Sequence, residues 1–257
     1  MSSIKIEYRG SITCLTLNRP EVFNSFNKEM ALSMQQALKD CTSEEVRCVI
    51  IRGNGKAFCA GQDLGEITDP DGPELKKIVS EHYNPIIRQI TELQKPVIAA
   101  VNGIAAGAGA NIALACDVVI AKQSAAFMQA FSKIGLIPDS GGTWLLPRII
   151  GFQKALALTL LAEKVSAEEA EKMGMIYKAT PDEEFDNVIE KIAGKLAGMP
   201  TKGLAYTKKA YHLAMSNSLS DQLDVEEQYQ FKASKTYDYN EGVDAFMNKR
   251  KPSFKGE

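Results

Sequence analysis

Three short apolar segments without alternation, Cys48-Val-Ile-Ile-Arg52, Val97-Ile-Ala-Ala-Val101 and Asp117-Val-Val-Ile-Ala121, limit this chain more than any other feature. A strand with one face in water alternates apolar and polar residues, so these segments predict strands covered on both faces, as in a parallel sheet. Helical patterns lie between them, over 75–93 and 109–115, giving the strand, crossover, strand order of α/β architecture. Ahead of them, Ile4, Ile6 and Tyr8, then Ile12, Cys14, Leu15 and Leu17, read as two strands joined by a turn at Arg9-Gly10. Asn27 is placed to cap a helix with Met30, Met34, Ala37, Leu38 and Cys41 on one face.

From about Gly141 the pattern becomes helical. Ser166-Ala-Glu-Glu169 is a capping box for a short helix that Gly174 closes, and 175–178 reads as a last strand. Helices are then expected over 185–199, 202–215, 219–231 and 242–247, with more amphipathic surface than one small core covers. Such helices complete themselves against a neighbouring subunit. The expected division is a core over 1–195 and a C-terminal helical region over 196–257. Asp69-Pro-Asp-Gly-Pro73 is a candidate mobile loop.

Composition excludes several functions. Thirty Lys and Arg against thirty-two Asp and Glu leave a net charge of -2, so no overall field draws the chain to nucleic acid or an anionic membrane. No apolar run reaches the ~18 residues of a membrane span. The odd count of five cysteines and a start without an apolar secretory core predict reduced thiols in the cytoplasm. With His82 and His212 the only histidines, a histidine-rich metal site cannot be built, and no metal is expected. Neither a Gly-x-Ser-x-Gly elbow nor a phosphate-binding P-loop is present. Gly107-Ala-Gly-Ala-Asn111 begins like a dinucleotide fingerprint, but Ile112 stands where its third glycine belongs.

Two small-residue turns follow two of the buried strands, Ala57-Phe-Cys-Ala-Gly-Gln-Asp-Leu64 and Asn102-Gly-Ile-Ala-Ala-Gly-Ala-Gly-Ala-Asn111. Such turns serve tight packing of strand against helix, or they aim backbone N–H groups at a developing oxyanion. Together with Leu17-Asn-Arg-Pro20, Lys95-Pro-Val-Ile-Ala-Ala-Val-Asn-Gly103, Ala115-Cys-Asp117 and Gly135-Leu-Ile-Pro-Asp-Ser-Gly-Gly-Thr143, they make the whole chain resemble the crotonase, or enoyl-CoA hydratase/isomerase, superfamily. The resemblance implies an α/β fold, a crotonase-like spiral of repeated βαβ units followed by a C-terminal helical trimerisation region. It also implies a homotrimer or dimer of trimers, and an acyl-CoA thioester as substrate with no cofactor beyond that coenzyme A. The oxyanion donors would be the N–H groups of Gln62 and Ala108, after Gly61 and Gly107, and the Ala60 carbonyl would meet the adenine of CoA.

The two catalytic glutamates of the hydratases fall on Asn111 and Phe131, neither of which moves protons. The nearest replacement is Asp139. Its unremarkable role would be an N-cap for the helix beginning near Gly141; the resemblance instead implies a catalytic base. The stretch around Asp139 most resembles the ring-epoxide isomerase branch of phenylacetate breakdown, which implies conversion of ring-1,2-epoxyphenylacetyl-CoA to oxepin-CoA or a double-bond shift in an enoyl-CoA. An enoyl-CoA hydratase, or a relative that binds CoA thioesters or RNA without chemistry, are the alternatives. Asn111, Tyr83 and Phe131 are expected at the acyl pocket, with Trp144 a weaker candidate wall. Phe254 and nearby lysines are expected to reach the CoA of an adjacent subunit. Burial among Leu136, Ile137 and Trp144 is expected to raise the Asp139 pKa.

Overall fold

A computed structural model describes residues 2–257. The strands are β1 (Ile4–Arg9), β2 (Ile12–Leu17), β3 (Cys48–Gly53), β4 (Ala57–Cys59), β5 (Val97–Val101), β6 (Ile104–Ala106), β7 (Val118–Lys122), β8 (Ala126–Met128), β9 (Lys164–Ser166) and β10 (Lys178–Thr180). One sheet has the order β1-β2-β3-β5-β7-β10, the other β4-β6-β8-β9. Only β1 with β2 and β8 with β9 run antiparallel. Thus β3, β5 and β7 each lie in the large sheet and pass at once to a short strand of the small one, the repeating turn of a spiral. The chain changes sheet at two glycines. A Cβ on Gly53 would stand 2.1 Å from the Ala57 carbonyl oxygen, and one on Gly103 the same distance from that of Lys56.

The helices are α1 (Lys28–Asp40), α2 (Leu64–Thr68), α3 (Leu75–Lys77), α4 (Asn84–Glu92), α5 (Ala108–Leu114), α6 (Gly142–Ile150), α7 (Phe152–Leu161), α8 (Ala167–Lys172), α9 (Phe185–Ala197), α10 (Thr201–Ala214), α11 (Leu219–Ala233) and α12 (Tyr237–Met247). The large sheet is covered on both sides, which is why its strands do not alternate. Cys48, Ile50, Ile98, Ala100 and Ile120 face Phe185, Ile189 and Ala193 of α9, while Val49, Ile51, Val97, Ala99 and Val119 face the main core with Met30, Met34 and Leu38 of α1. The expected division at 195/196 falls within α9, which packs on this sheet. The caps expected at Asn27 and at Ser166 with Glu169 are present.

Other boundaries differ from expectation for local reasons. The helix expected over 75–93 is three pieces, because Pro85 has no N–H to bond the preceding turn. The chain widens into a π-helical turn over Ile78–Tyr83, which the Asn84 N–H closes on the Val79 carbonyl. The last strand begins at Lys178 rather than 175, since the Met175 and Ile176 N–H groups turn back to the Ala170 carbonyl. The final helix starts at Tyr237, not 242, because the Thr236 side chain caps it through the Tyr239 N–H. The loop at Asp69–Pro73 is an exposed turn, closed by the Gly72 N–H on the Asp69 carbonyl.

One ion pair fastens α10 to the sheet. The Lys208 ammonium donates to the Asp117 carboxylate at 2.8 Å and to the Ile90 carbonyl at 2.7 Å, at the C-terminal end of α4. The same carboxylate oxygen accepts the Val97 N–H at 2.8 Å. Burial holds the Asp117 pKa above the usual carboxylate value, with Lys208 opposing it. Lys208→Met should therefore lower unfolding stability by about 3 kcal/mol at neutral pH by leaving an uncompensated charge. Because the folded pKa is raised, that penalty is full above it and fades as pH falls and the carboxyl protonates. Urea unfolding at pH 7 and at pH 4 measures both effects.

Candidate active site

The small sheet brings the two small-residue turns together. Because β4 and β6 are parallel neighbours, the turns leaving their C-terminal ends, 60–62 and 107–108, lie side by side. Gly109 permits the approach, since a Cβ there would stand 2.4 Å from the Cys59 carbonyl oxygen. Gly61 has φ +96°, and a Cβ on it would lie 3.0 Å from the Ala106 carbonyl oxygen and 3.6 Å from the Ala108 nitrogen. Gly107 has φ 53° and ψ -128°, a combination that side chains resist.

Both expected donors have the required freedom. The Phe26 N–H donates to the Gly61 carbonyl at 2.7 Å and the Asp63 N–H to the Phe26 carbonyl at 2.8 Å, so the Gln62 N–H between them points away from Phe26. Ala108 is the first residue of α5, where an N–H has no acceptor within the helix. Neither N–H has a backbone acceptor among the described residues. Two N–H groups on converging turns are the arrangement that holds a developing oxyanion.

The side chains around this hole are interlocked. Tyr83 is buried and its hydroxyl donates to Gln62 Oε1 at 2.9 Å, while Gln62 Nε2 donates to Glu66 at 2.9 Å. Burial pushes the Tyr83 phenol well above its ordinary pKa, so it stays a neutral donor. Arg19 pairs with Asp63 at 2.8 Å and fixes the far side of the same turn. Phe131 is buried and its ring lies 3.8 Å from where a Cβ of Gly107 would stand, under the second donor turn. Cys59 is fully buried with its thiol pushed up to about 12, so it packs as a neutral side chain.

Asp139 is not the N-cap of α6. That position is Gly141, with φ 76° and no side-chain cap bond. The Asp139 carboxylate instead accepts the Ser140 hydroxyl at 2.9 Å, and its main-chain carbonyl accepts the Gly142 N–H at 2.8 Å. Burial raises its pKa above the usual carboxylate value, and the Ser140 hydroxyl only partly offsets that. The direction and its cause match expectation, but the surroundings do not, since Ile137 is 81% exposed and Trp144 is 39% exposed beneath the Arg148 guanidinium. Trp144 lines a separate cleft with His212 and Tyr229.

Asn111 is fully buried with both amide atoms engaged inside the protein, Nδ2 on the Asp139 carbonyl at 2.9 Å and Oδ1 from Gln129 at 2.8 Å. Gln129 and Ser140 were not singled out in the sequence. A lone polar residue in the run Ala125-Ala-Phe-Met-Gln-Ala-Phe131 was the available signal for the first. Phe254 is not brought to the hole of its own chain. Its ring rests on Gly242 and its carbonyl holds Arg47 at 2.9 Å, and the following residues sit against Leu38 and Lys39, at the opposite end of α1 from Phe26.

Comparison with known proteins places the chain in a family. The family model for enoyl-CoA hydratase/isomerase matches residues 7–257, and the chain belongs to that family. It is 49% identical, over the full length of both chains, to the 1,2-epoxyphenylacetyl-CoA isomerase of Escherichia coli K12. It is 46% identical to a Rhodobacter capsulatus protein named "Probable enoyl-CoA hydratase", covering 99% of this chain and 98% of that one. The crystal structure of enoyl-CoA hydratase from Bacillus anthracis superposes with a TM-score of 0.92 at 32% identity, covering 99% of this chain and 100% of that one.

Gly107→Ala should strain the second donor turn by about 1–3 kcal/mol and turn its N–H away, with kcat falling about 10²-fold. Thermal unfolding and steady-state kinetics on the same preparation read the two effects.

Proposed function

We propose that this protein is an acyl-CoA isomerase, converting ring-1,2-epoxyphenylacetyl-CoA to oxepin-CoA and shifting double bonds in enoyl-CoA thioesters. The observation that carries the reading is the half-buried carboxylate of Asp139, with its raised pKa, on a turn whose main-chain carbonyl is tied by Asn111 to the helix that begins at the donor Ala108. The N–H groups of Gln62 and Ala108 hold the thioester oxygen. For the epoxide, the C–C bond shared by the epoxide and the six-membered ring breaks as the ring's π electrons redistribute, which widens the ring to the oxepin with no atom gained or lost; Asp139 takes the proton from the carbon next to the carbonyl, the electron pair moves into the enolate, and the proton is returned at a remote carbon of the conjugated system. One carboxylate closes this cycle, because what it removes it gives back. The name of the Escherichia coli relative supports the aromatic epoxide as substrate.

Coenzyme A is bound in this reading with its adenine at the exposed Ala60, and with Phe254 and the tail lysines supplied by an adjacent subunit. The self-association that requires is supported by α11, which buries none of its residues in one chain, and by the exposure of Leu219, Phe231, Phe246 and Met247. Among the described residues no helix is long and apolar enough to cross a membrane. Five free, buried thiols fit the reducing cytoplasm. Sedimentation at micromolar concentration should give a trimer or a multiple of it, and a monomer would remove the adjacent-subunit role of Phe254.

A hydratase is the second reading, favoured by the name of the Rhodobacter relative. It lacks groups for the chemistry, since Asn111 and Phe131 occupy the proton-transfer positions. Crotonyl-CoA hydration should accordingly be slow or absent while 3-enoyl-CoA isomerisation proceeds.

Asp139→Asn should lower isomerase kcat at least about 10²-fold. It should leave stability at pH 7 unchanged or improved, because a carboxylate whose folded pKa is raised costs stability once ionised. The wild-type rate should fall on the acid side at a pH above the ordinary aspartate range, and this limb should vanish in the variant. Retention of activity would show that Asp139 is not the base.

A further inference from the structure

Proton transfer requires the base to be held at a fixed distance from the oxyanion hole, and the structure shows one path of contacts that sets it. α5 begins with the donor Ala108 and carries Asn111 three residues later, on the same face one turn on. From there Asn111 Nδ2 reaches the Asp139 carbonyl at 2.9 Å. On its other side Asn111 Oδ1 accepts from Gln129 Nε2 at 2.8 Å. Gln129 directly follows β8, whose last residue, Met128, accepts the Gly107 N–H at 2.9 Å. The donor turn and the base turn are therefore tied to the end of one strand.

We infer that Gln129 and Asn111 form a two-amide strut, positioning residues that act on the reaction through Asp139. The Asp139-Ser140-Gly141 turn is closed by the Ser140 hydroxyl on the Asp139 carboxylate and the Gly142 N–H on the Asp139 carbonyl, and it is strained all the same. Ser140 and Gly141 both have positive φ, at 49° and 76°, a costly conformation for serine that surrounding contacts must maintain. The strut is such a contact, and its polarity is specific. The Asp139 carbonyl takes the Gly142 N–H on one lone pair and has a second free for another donor, which an amide at position 111 provides and a carboxylate does not. Asn111 in turn must be oriented with its oxygen away from Asp139, and the Gln129 amide donor fixes that orientation.

Gln129 contributes little else. It is 3% exposed, and its Oε1 has no protein partner, so as a core residue it carries a cost that an apolar side chain of the same length avoids. Gly142 belongs to the same device from the opposite side. A Cβ there would stand 2.4 Å from Asn111 Nδ2, so glycine is what lets the amide approach the turn. A base displaced by about 1 Å loses on the order of 10²-fold in rate, which gives the strut a measurable share of kcat.

The inference rests on Asp139 being the base, and a double-mutant cycle separates the two. Using the full chain and a 3-enoyl-CoA isomerisation assay, Gln129→Met removes the donor at nearly constant volume, and Gly142→Ala pushes the amide away independently. Each should lower kcat about 10-fold or more with KM within about twofold. Neither should lower the rate further by more than about twofold when Asp139 is already Asn. Equal losses in both backgrounds, with Asp139→Asn itself slowed at least about 10²-fold, would overturn the strut alone. Full activity of Asp139→Asn would overturn the base assignment and the strut with it. Failure of both Gln129→Met and Gly142→Ala to fold would make the contact a stability element and overturn the inference as well.

Discussion

Everything in the active site depends on the close parallel approach of β4 and β6. Two neighbouring strands in a parallel ladder end at the same level, so the turns that leave them open side by side, with the N–H groups of Gln62 and Ala108 both left without a backbone acceptor. The approach is tight enough that side chains are excluded where the segments cross, at Gly61 against Ala106 and at Gly109 against Cys59. A backbone hydrogen-bond donor held by sheet geometry needs little reorganisation when charge develops, and in the proposed mechanism that preorganisation is what the two N–H groups contribute. The corner glycines, Gly53 and Gly103, serve the same end by letting the chain pass from the large sheet to the small one within a few residues.

Around this frame, polarity is distributed unevenly. The central strands β3, β5 and β7 bury only apolar side chains between α9 and the main core, whereas the polar side chains of the site form short directional chains. Tyr83, Gln62 and Glu66 make one, and Gln129, Asn111 and the Asp139 carbonyl make another. Both chains are built mainly from neutral donors and acceptors. Asp139 thus sits among neutral groups, without a cation to lower its pKa, and burial dominates. An aspartate so placed is a stronger base than one in water, at a cost in stability that the rest of the fold carries.

The C-terminal helices present a different balance. α9 closes the sheet, and α10 is fastened to it by Lys208 and Arg47, but α11 offers nothing buried and α12 leaves Phe246 and Met247 in solvent. The tail after α12 is nonetheless well held. The buried Asp238 carboxylate accepts the N–H groups of Lys255 and Gly256 at 2.7 and 2.8 Å, which folds the end of the chain against Arg47 and Thr201. A fixed tail beside helices with bare apolar faces supports the proposed self-association.

The sequence by itself determined the two-faced sheet, because residues covered on both sides cannot alternate, and it determined the glycine turns, because only they tolerate such crowding. The caps at Asn27 and Ser166 were readable for the same local reason. Family motifs added the identities of Gln62, Ala108 and Asp139, positions that no periodicity marks. Only the tertiary structure decided how these groups are held. The widened turn that drives Tyr83 inward, the release of Asp139 from any capping duty, and the role of Asn111 and Gln129 as partners of one another all depend on contacts between residues far apart in the chain. Such contacts leave no pattern in a single sequence, because an amide that braces a turn and one that lies idle have the same composition and differ only in what stands opposite them.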